Sequence, residues 1–154
     1  MRKFIPAKLL GEQMSVDIFV FLALNRAPDF NAWQKALRAD RPEMRFVAPV
    51  DLAKHSGFLP VFVNGKRTGF YFYKNDPKDL ASDYPIVAAD GLSNGVAYQL
   101  SFGGHSNECV AAMRSAEVLV KSFGGVAFDP QGGKVMTVQE LEDSTEFCRT
   151  SLGP

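Results

Sequence analysis

The chain has 154 residues, 46% hydrophobic and 22% charged, with 17 basic against 17 acidic side chains. That length suits one domain able to bury a sizeable core, so 1–154 is taken as a single unit. The charge balance argues against broad nucleic-acid binding, which needs a basic surface, and 13 phenylalanines against 4 tyrosines and 1 tryptophan supply apolar area for an interior.

Near the N-terminus, Arg2 and Lys3 stand ahead of an apolar run, Met14–Leu24. Asp17 interrupts the run, a polar spacer precedes it, and Asn25-Arg26 follows where a leader peptide would carry small residues. The run is also shorter than the roughly 20 apolar residues of a membrane span. It reads as a central strand covered on both faces or nearly so, and the protein reads as cytoplasmic. Asp29 then caps a helix on which Phe30, Trp33 and Leu37 share one stripe, and Pro42 ends it. A short strand over Met44–Ala48 follows, then a loop or single helical turn across 49–58. Leu59–Val63, the turn Asn64-Gly65 and Thr68–Tyr73 make the clearest hairpin, because both turn residues tolerate positive φ. Period two puts Phe70 and Phe72 on one face and Tyr71 and Tyr73 on the other, wetter one.

Residues 75–95 read as the main irregular segment, carrying Asp76, Asp79, Asp83 and Asp90 against a single Lys78. Long loops in compact domains are mobile or functional, although Asp also favours turns for local reasons. The last third is more regular. Val96–Phe102 is a strand. Ser106 is placed to cap a helix, Asn107–Phe123, with Cys109, Ala112, Met113, Ala116, Leu119, Val120 and Phe123 on one face and the pair Glu117/Lys121 on another. Gly124-Gly125 stops it. Val126-Ala127-Phe128 is a short buried strand, Asp129–Gly133 a turn, and Thr137 with Glu140 a capping box that opens the last helix. The expected fold is α+β, a mostly antiparallel sheet of about six strands with about three helices packed on one side. Strand–helix–strand near both ends hints at ferredoxin-like halves.

Little here is arranged for chemistry. His105 and Cys109, with His55 and Cys148, could be drawn as zinc ligands, but structural sites use tighter paired spacing. Cys109 with His105 could be a nucleophile and base, yet Cys109 lies on the apolar stripe, and both cysteines read as reduced core thiols. Gly103-Gly104-His105-Ser106 could cradle an anion, but it matches no phosphate-binding pattern and suits a tight turn. Asp129 lacks the second carboxylate of an acid–base pair and suits hydrogen bonding within its own turn. The expectation is a non-enzyme without cofactor or metal. An enzyme assembled from His55, His105 and Asp129 would need those three to converge.

FGGHSNE (102–108), the alanine-bearing helix after it and GGVAFDPQGGK (124–134) resemble small cytoplasmic bacterial immunity proteins, encoded beside polymorphic or type VI secretion toxins. The resemblance covers about the last third of the chain. It implies an antitoxin-like inhibitor that binds and occludes one secreted toxin domain, with a nuclease as the expected toxin, and contacts neither nucleic acid nor membrane directly. Immunity surfaces vary by partner, so no family contact carries over. From the residues themselves, Asp76, Asp79, Asp83 and Asp90 are expected as interface charge and Tyr71, Tyr73 and Tyr84 as neighbouring anchors, since charge speeds association and tyrosine is favoured at hot spots. The alternative is a small-molecule-binding or regulatory domain with a pocket between sheet and helices.

Overall fold

The computed structural model describes residues 15–153. Arg2, Lys3 and Met14 of the N-terminal reading lie outside that range. The elements are β1 (Val16–Leu22), α1 (Phe30–Asp40), β2 (Met44–Phe46), β3 (Gly57–Val63), β4 (Lys66–Asn75), α2 (Pro77–Ala81), α3 (Pro85–Ala89), β5 (Val96–Phe102), α4 (Ser106–Phe123), β6 (Val126–Asp129), β7 (Lys134–Met136) and α5 (Val138–Ser151). The strands form one sheet in the order β2-β3-β4-β5-β1-β6-β7, and every neighbouring pair is antiparallel. The α+β class and the antiparallel sheet are as the sequence predicts, with seven strands and five helices among the described residues.

The ferredoxin-like expectation holds for one half only. β5 and β6 both run antiparallel to β1, which lies between them, so α4 links two parallel strands across one intervening strand. The crossover through α1 instead carries the chain from β1 to β2 at the sheet edge, past β5, β4 and β3.

β1 is buried on both faces along most of its length, as its sequence predicts. Val16, Ile18, Val20 and Leu22 face the main core, which lies between the sheet and α1 and α4. Trp33 sits fully buried in that core, its ring 4.9 Å from Phe46 and 5.7 Å from Phe72, and its indole N–H donates to the Ser115 carbonyl at 3.3 Å. An indole needs such an acceptor once it leaves water. α4 is buried on more than its predicted stripe, because the sheet lies on one side of it and α1 and α5 flank it.

That sandwiching bears on two side-chain readings. Glu117, paired with Lys121 by its helical spacing as the sequence predicts, has no exposure. Its carboxylate accepts from Arg114 at 3.0 Å and Arg41 at 3.2 Å, with Lys121 at 3.6 Å. Cys109 and Cys148, expected as reduced thiols, are bonded to each other and tie α4 to α5. The helical spacing of each cysteine was legible, but not that the two stripes face one another.

The expected irregular segment 75–95 contains α2 and α3, which cover part of the sheet's second face, so the helices are not confined to one side. They roof a smaller core of Phe19, Phe21, Val87, Ala97 and Phe128. Asp76 accepts from the Lys78 N–H at 3.0 Å and opens α2 with Pro77 in its first turn, and Pro85 opens α3. Pro suits a first helical turn because its missing N–H would have no partner there. No helix among the described residues is long and apolar enough to cross a membrane.

Candidate functional site

The roof of α2 and α3 covers β5, β1 and β6, and among the described residues no element covers β3 and β4 on the same side. The bare surface is built by the hairpin. Asn64 (φ 51°) and Gly65 (φ 77°) take the left-handed turn conformation, fixing a register in which Phe58 opposes Tyr71 and Phe62 opposes Arg67. Leu59, Val61 and Val63 point into the core, so period two turns Phe58, Pro60 and Phe62 outward. Gly69 (φ +155°) opposes Pro60, and a Cβ there would lie 2.7 Å from the Phe58 ring and 2.4 Å from the Leu59 carbonyl oxygen. The glycine is a shelf on which the Phe58 ring rests.

Three cross-strand rows lie on this face. Arg45, Phe62 and Arg67 form the first, with the Arg45 guanidinium 4.4 Å above the Phe62 ring. Phe58, Tyr71, Ser101 and Asp17 form the second; Phe58 and Tyr71 meet edge to face at 5.4 Å and are 41% and 48% exposed. Tyr73 and Gln99 begin the third, which continues under the roof to Phe19 and Phe128. Between bare and roofed surface runs a polar stripe. The Asn75 amide donates to Gln99 Oε1 at 2.9 Å, Gln99 Nε2 donates to Asp17 Oδ1 at 3.2 Å, and the Ser101 hydroxyl donates to the same Asp17 oxygen. Ser15, Asp17, Tyr71, Tyr73, Gln99 and Ser101 line a shallow depression of about 350 Å³.

The expected interface residues are partly brought together. Tyr71 and Tyr73 share the depression. Tyr84 stands at the roof edge, its ring 6.1 Å from Phe19 and 5.4 Å from Phe128, so it is half core. Burial first, and then the carboxylates of Asp83 and Asp17, raise its phenol pKa above the usual value. Asp79 and Asp83 are exposed on the roof. Asp76 is exposed but engaged as a cap, and it borders a different depression, of about 550 Å³, with Leu24 and Lys74. Asp90 lies at the C-terminal end of α3.

Sequence reasoning did not name Phe58, Phe62, Asp17 or Gln99 for this surface. The signal for the first two was the alternation in Leu59-Pro60-Val61-Phe62-Val63, once the Asn64-Gly65 turn set the register. Asp17 was readable as the place where a two-sided strand loses its cover.

The residues weighed for chemistry serve the backbone. His55 Nε2 lies 3.2 Å from the Gly57 carbonyl and 3.0 Å from that of Phe58, so this nitrogen carries the proton and anchors the start of β3. In the Gly-Gly turn, the Gly103 N–H donates to Glu108 and the Ser106 N–H to the Gly153 carbonyl, so two N–H groups that could have cradled an anion are engaged. His105, not Ser106, stands at the N-cap of α4. Asp129 is buried and accepts from the Gln131 N–H at 2.9 Å, the role in its own turn that the sequence suggests. Cys109 is held in the disulfide. Among the described residues no three His, Cys, Asp or Glu side chains are grouped to hold a metal ion. Comparison with protein-family models, curated proteins and solved structures finds no match to this chain.

Proposed function

We propose that this chain is a binding protein of the immunity kind, which seats the bare half of its sheet on a cognate toxin domain and occludes it. The observation that carries the reading is the exposed Phe58–Tyr71 pair, presented on a rigid antiparallel sheet beside a polar stripe. Aromatic side chains held in place lose little freedom on binding, and they dominate interface energetics. Charge is divided across the same surface. Asp17, Asp79 and Asp83 lie toward the roof, Arg45 and Arg67 toward the free edge, so a partner of complementary charge docks in one orientation. The resemblance of the last third to immunity proteins supplies the kind of partner.

The direct test is co-expression with the toxin domain encoded beside this gene. A complex that survives purification, protects from the toxin and is weakened by Phe58→Ala or Tyr71→Ala supports the reading. No complex, or a complex indifferent to both substitutions, overturns it.

A second reading is favoured by one observation. A depression of about 490 Å³ between the start of α1 and the 49–53 loop is lined by Asp29, Phe30, Leu52, Lys74 and Tyr98. That size accommodates a small ligand. Lys74→Ala would abolish such binding and leave the toxin complex intact.

The sequence reading names a nuclease as the toxin and the cytoplasm as the meeting place. The buried Cys109–Cys148 bond leaves the first untouched and bears on the second, because disulfides persist in oxidising compartments and are rare where thiols are kept reduced.

A further inference from the structure

Cys109 and Cys148 are the chain's only cysteines, they stand 39 residues apart, and the fold joins them in one bond between α4 and α5. Neither residue exceeds 1% exposure. We infer that the chain acquires this bond in an oxidising compartment and meets its partner there, so that the partner acts on a target outside the cytoplasm.

The burial fixes when the bond forms. Thiol–disulfide exchange needs a thiolate in contact with a disulfide of the oxidant. Once α5 is packed on α4, no exchange partner can reach either sulfur. Oxidation therefore precedes the docking of α5. One cysteine thiolate attacks the oxidant's disulfide and releases one of its thiols. The other cysteine then displaces the second, leaving the Cys109–Cys148 bond and a dithiol. Two protons and two electrons pass from the pair to the oxidant, a protein or small-molecule disulfide. The same burial afterwards shields the bond from reductants.

A compartment that supplies such an oxidant during folding also fixes where the bare sheet face is presented. A toxin stopped at this meeting place acts on a target that the same compartment holds. This last step rests on the occlusion reading, whereas the compartment rests on the bond alone.

The test uses cells carrying the gene with its natural upstream sequence. They are quenched in acid, denatured, and labelled with a polyethylene-glycol maleimide before or after reduction. The expected result is no added label without reductant and two labels after it, with the protein recovered in the fraction outside the inner membrane. Two labels without reductant, or recovery in the cytoplasm, overturn the inference. A purified oxidised protein that fails to bind the neighbouring toxin domain would sink the occlusion reading and leave the compartment standing. A toxin that it does bind and whose target lies in the cytoplasm would sink the partner step alone.

Discussion

Loss of the Cys109–Cys148 bond has a magnitude that the fold itself sets. The cross-link joins residues 39 apart. In the chain-entropy account, closing a loop of that size removes about 13 cal/mol/K from the unfolded ensemble, or roughly 4 kcal/mol at 25 °C. For a domain of this length the corresponding fall in thermal midpoint is on the order of 10 °C. With a urea slope of about 2 kcal/mol/M, the denaturation midpoint falls by about 2 M. Three proteins separate the terms. The oxidised chain is the reference. The reduced chain keeps every core atom and loses only the bond. The Cys109→Ala/Cys148→Ala variant also loses two buried sulfurs and should be the least stable, since buried truncation adds a packing loss. Urea titration followed by circular dichroism reads all three. A reduced chain unfolding within about 1 kcal/mol of the oxidised one would refute the reasoning, because it would mean that the bond restrains nothing in the unfolded chain.

Phe58→Ala and Tyr71→Ala should each weaken the toxin complex at least tenfold by calorimetry, a loss of about 1.4 kcal/mol or more, with unfolding midpoints little changed because both side chains are exposed. Asp79→Lys with Asp83→Lys should lower the association rate for a basic partner and leave dissociation nearly unaltered, as read by surface plasmon resonance across salt concentrations; an unchanged rate excludes that rim from the interface. Glu117→Ala leaves Arg114 and Arg41 facing an emptied buried site, and should cost about 3–5 kcal/mol in urea titration. The Glu140 carboxyl accepts from Lys134 and from the Thr137 N–H, and both bonds hold its pKa below the usual value. Its contribution to stability is therefore complete above the unfolded carboxylate range and is lost as pH falls through the lower, folded value. Glu140→Gln should flatten that acid limb of the stability profile, and a limb of unchanged slope would count against the assignment.

Where local chemistry decides, the sequence is legible. The hairpin follows from Asn64-Gly65, the α1 start from Asp29, and the last helix from Thr137 and Glu140, whose reciprocal bonds are both present. Local pattern also separates Phe72 from Tyr71. The failures share a cause. The burial of Glu117 was not legible because helical spacing shows which residues share a face, and not which faces meet a neighbouring helix. The cysteine pair was missed for the same reason, since it depends on how α5 lies along α4. The roof was missed because the aspartates were read as turn formers and loop charge, when Asp76-Pro77 and Tyr84-Pro85 open two helices of five residues each. The proposed binding face lay beyond reach until the roof was known, because it is the part of the sheet that α2 and α3 do not cover.

That division gives the strongest physical reason to read the bare half as an interface. Under the roof the outward residues are apolar: Phe19, Phe21, Ala97 and Phe128. At the roof's edge they turn polar, with Asp17, Gln99 and Ser101 bonded to one another. A sheet face serving only to meet water would stay polar from there to its edge, as antiparallel sheets with one solvated face do. Instead, aromatic side chains return at Tyr71, Phe58 and Phe62, and Gly69 is spent on making room for one of them. Glycine in a strand weakens it, and an exposed aromatic pair adds aggregation risk. What the pair returns to the fold is a cross-strand contact worth roughly 0.2–1 kcal/mol. A partner that covers the pair removes the second liability and gives the first a purpose, whereas a Gly69→Ala chain, with Phe58 pushed off its shelf, should bind poorly even where it still folds.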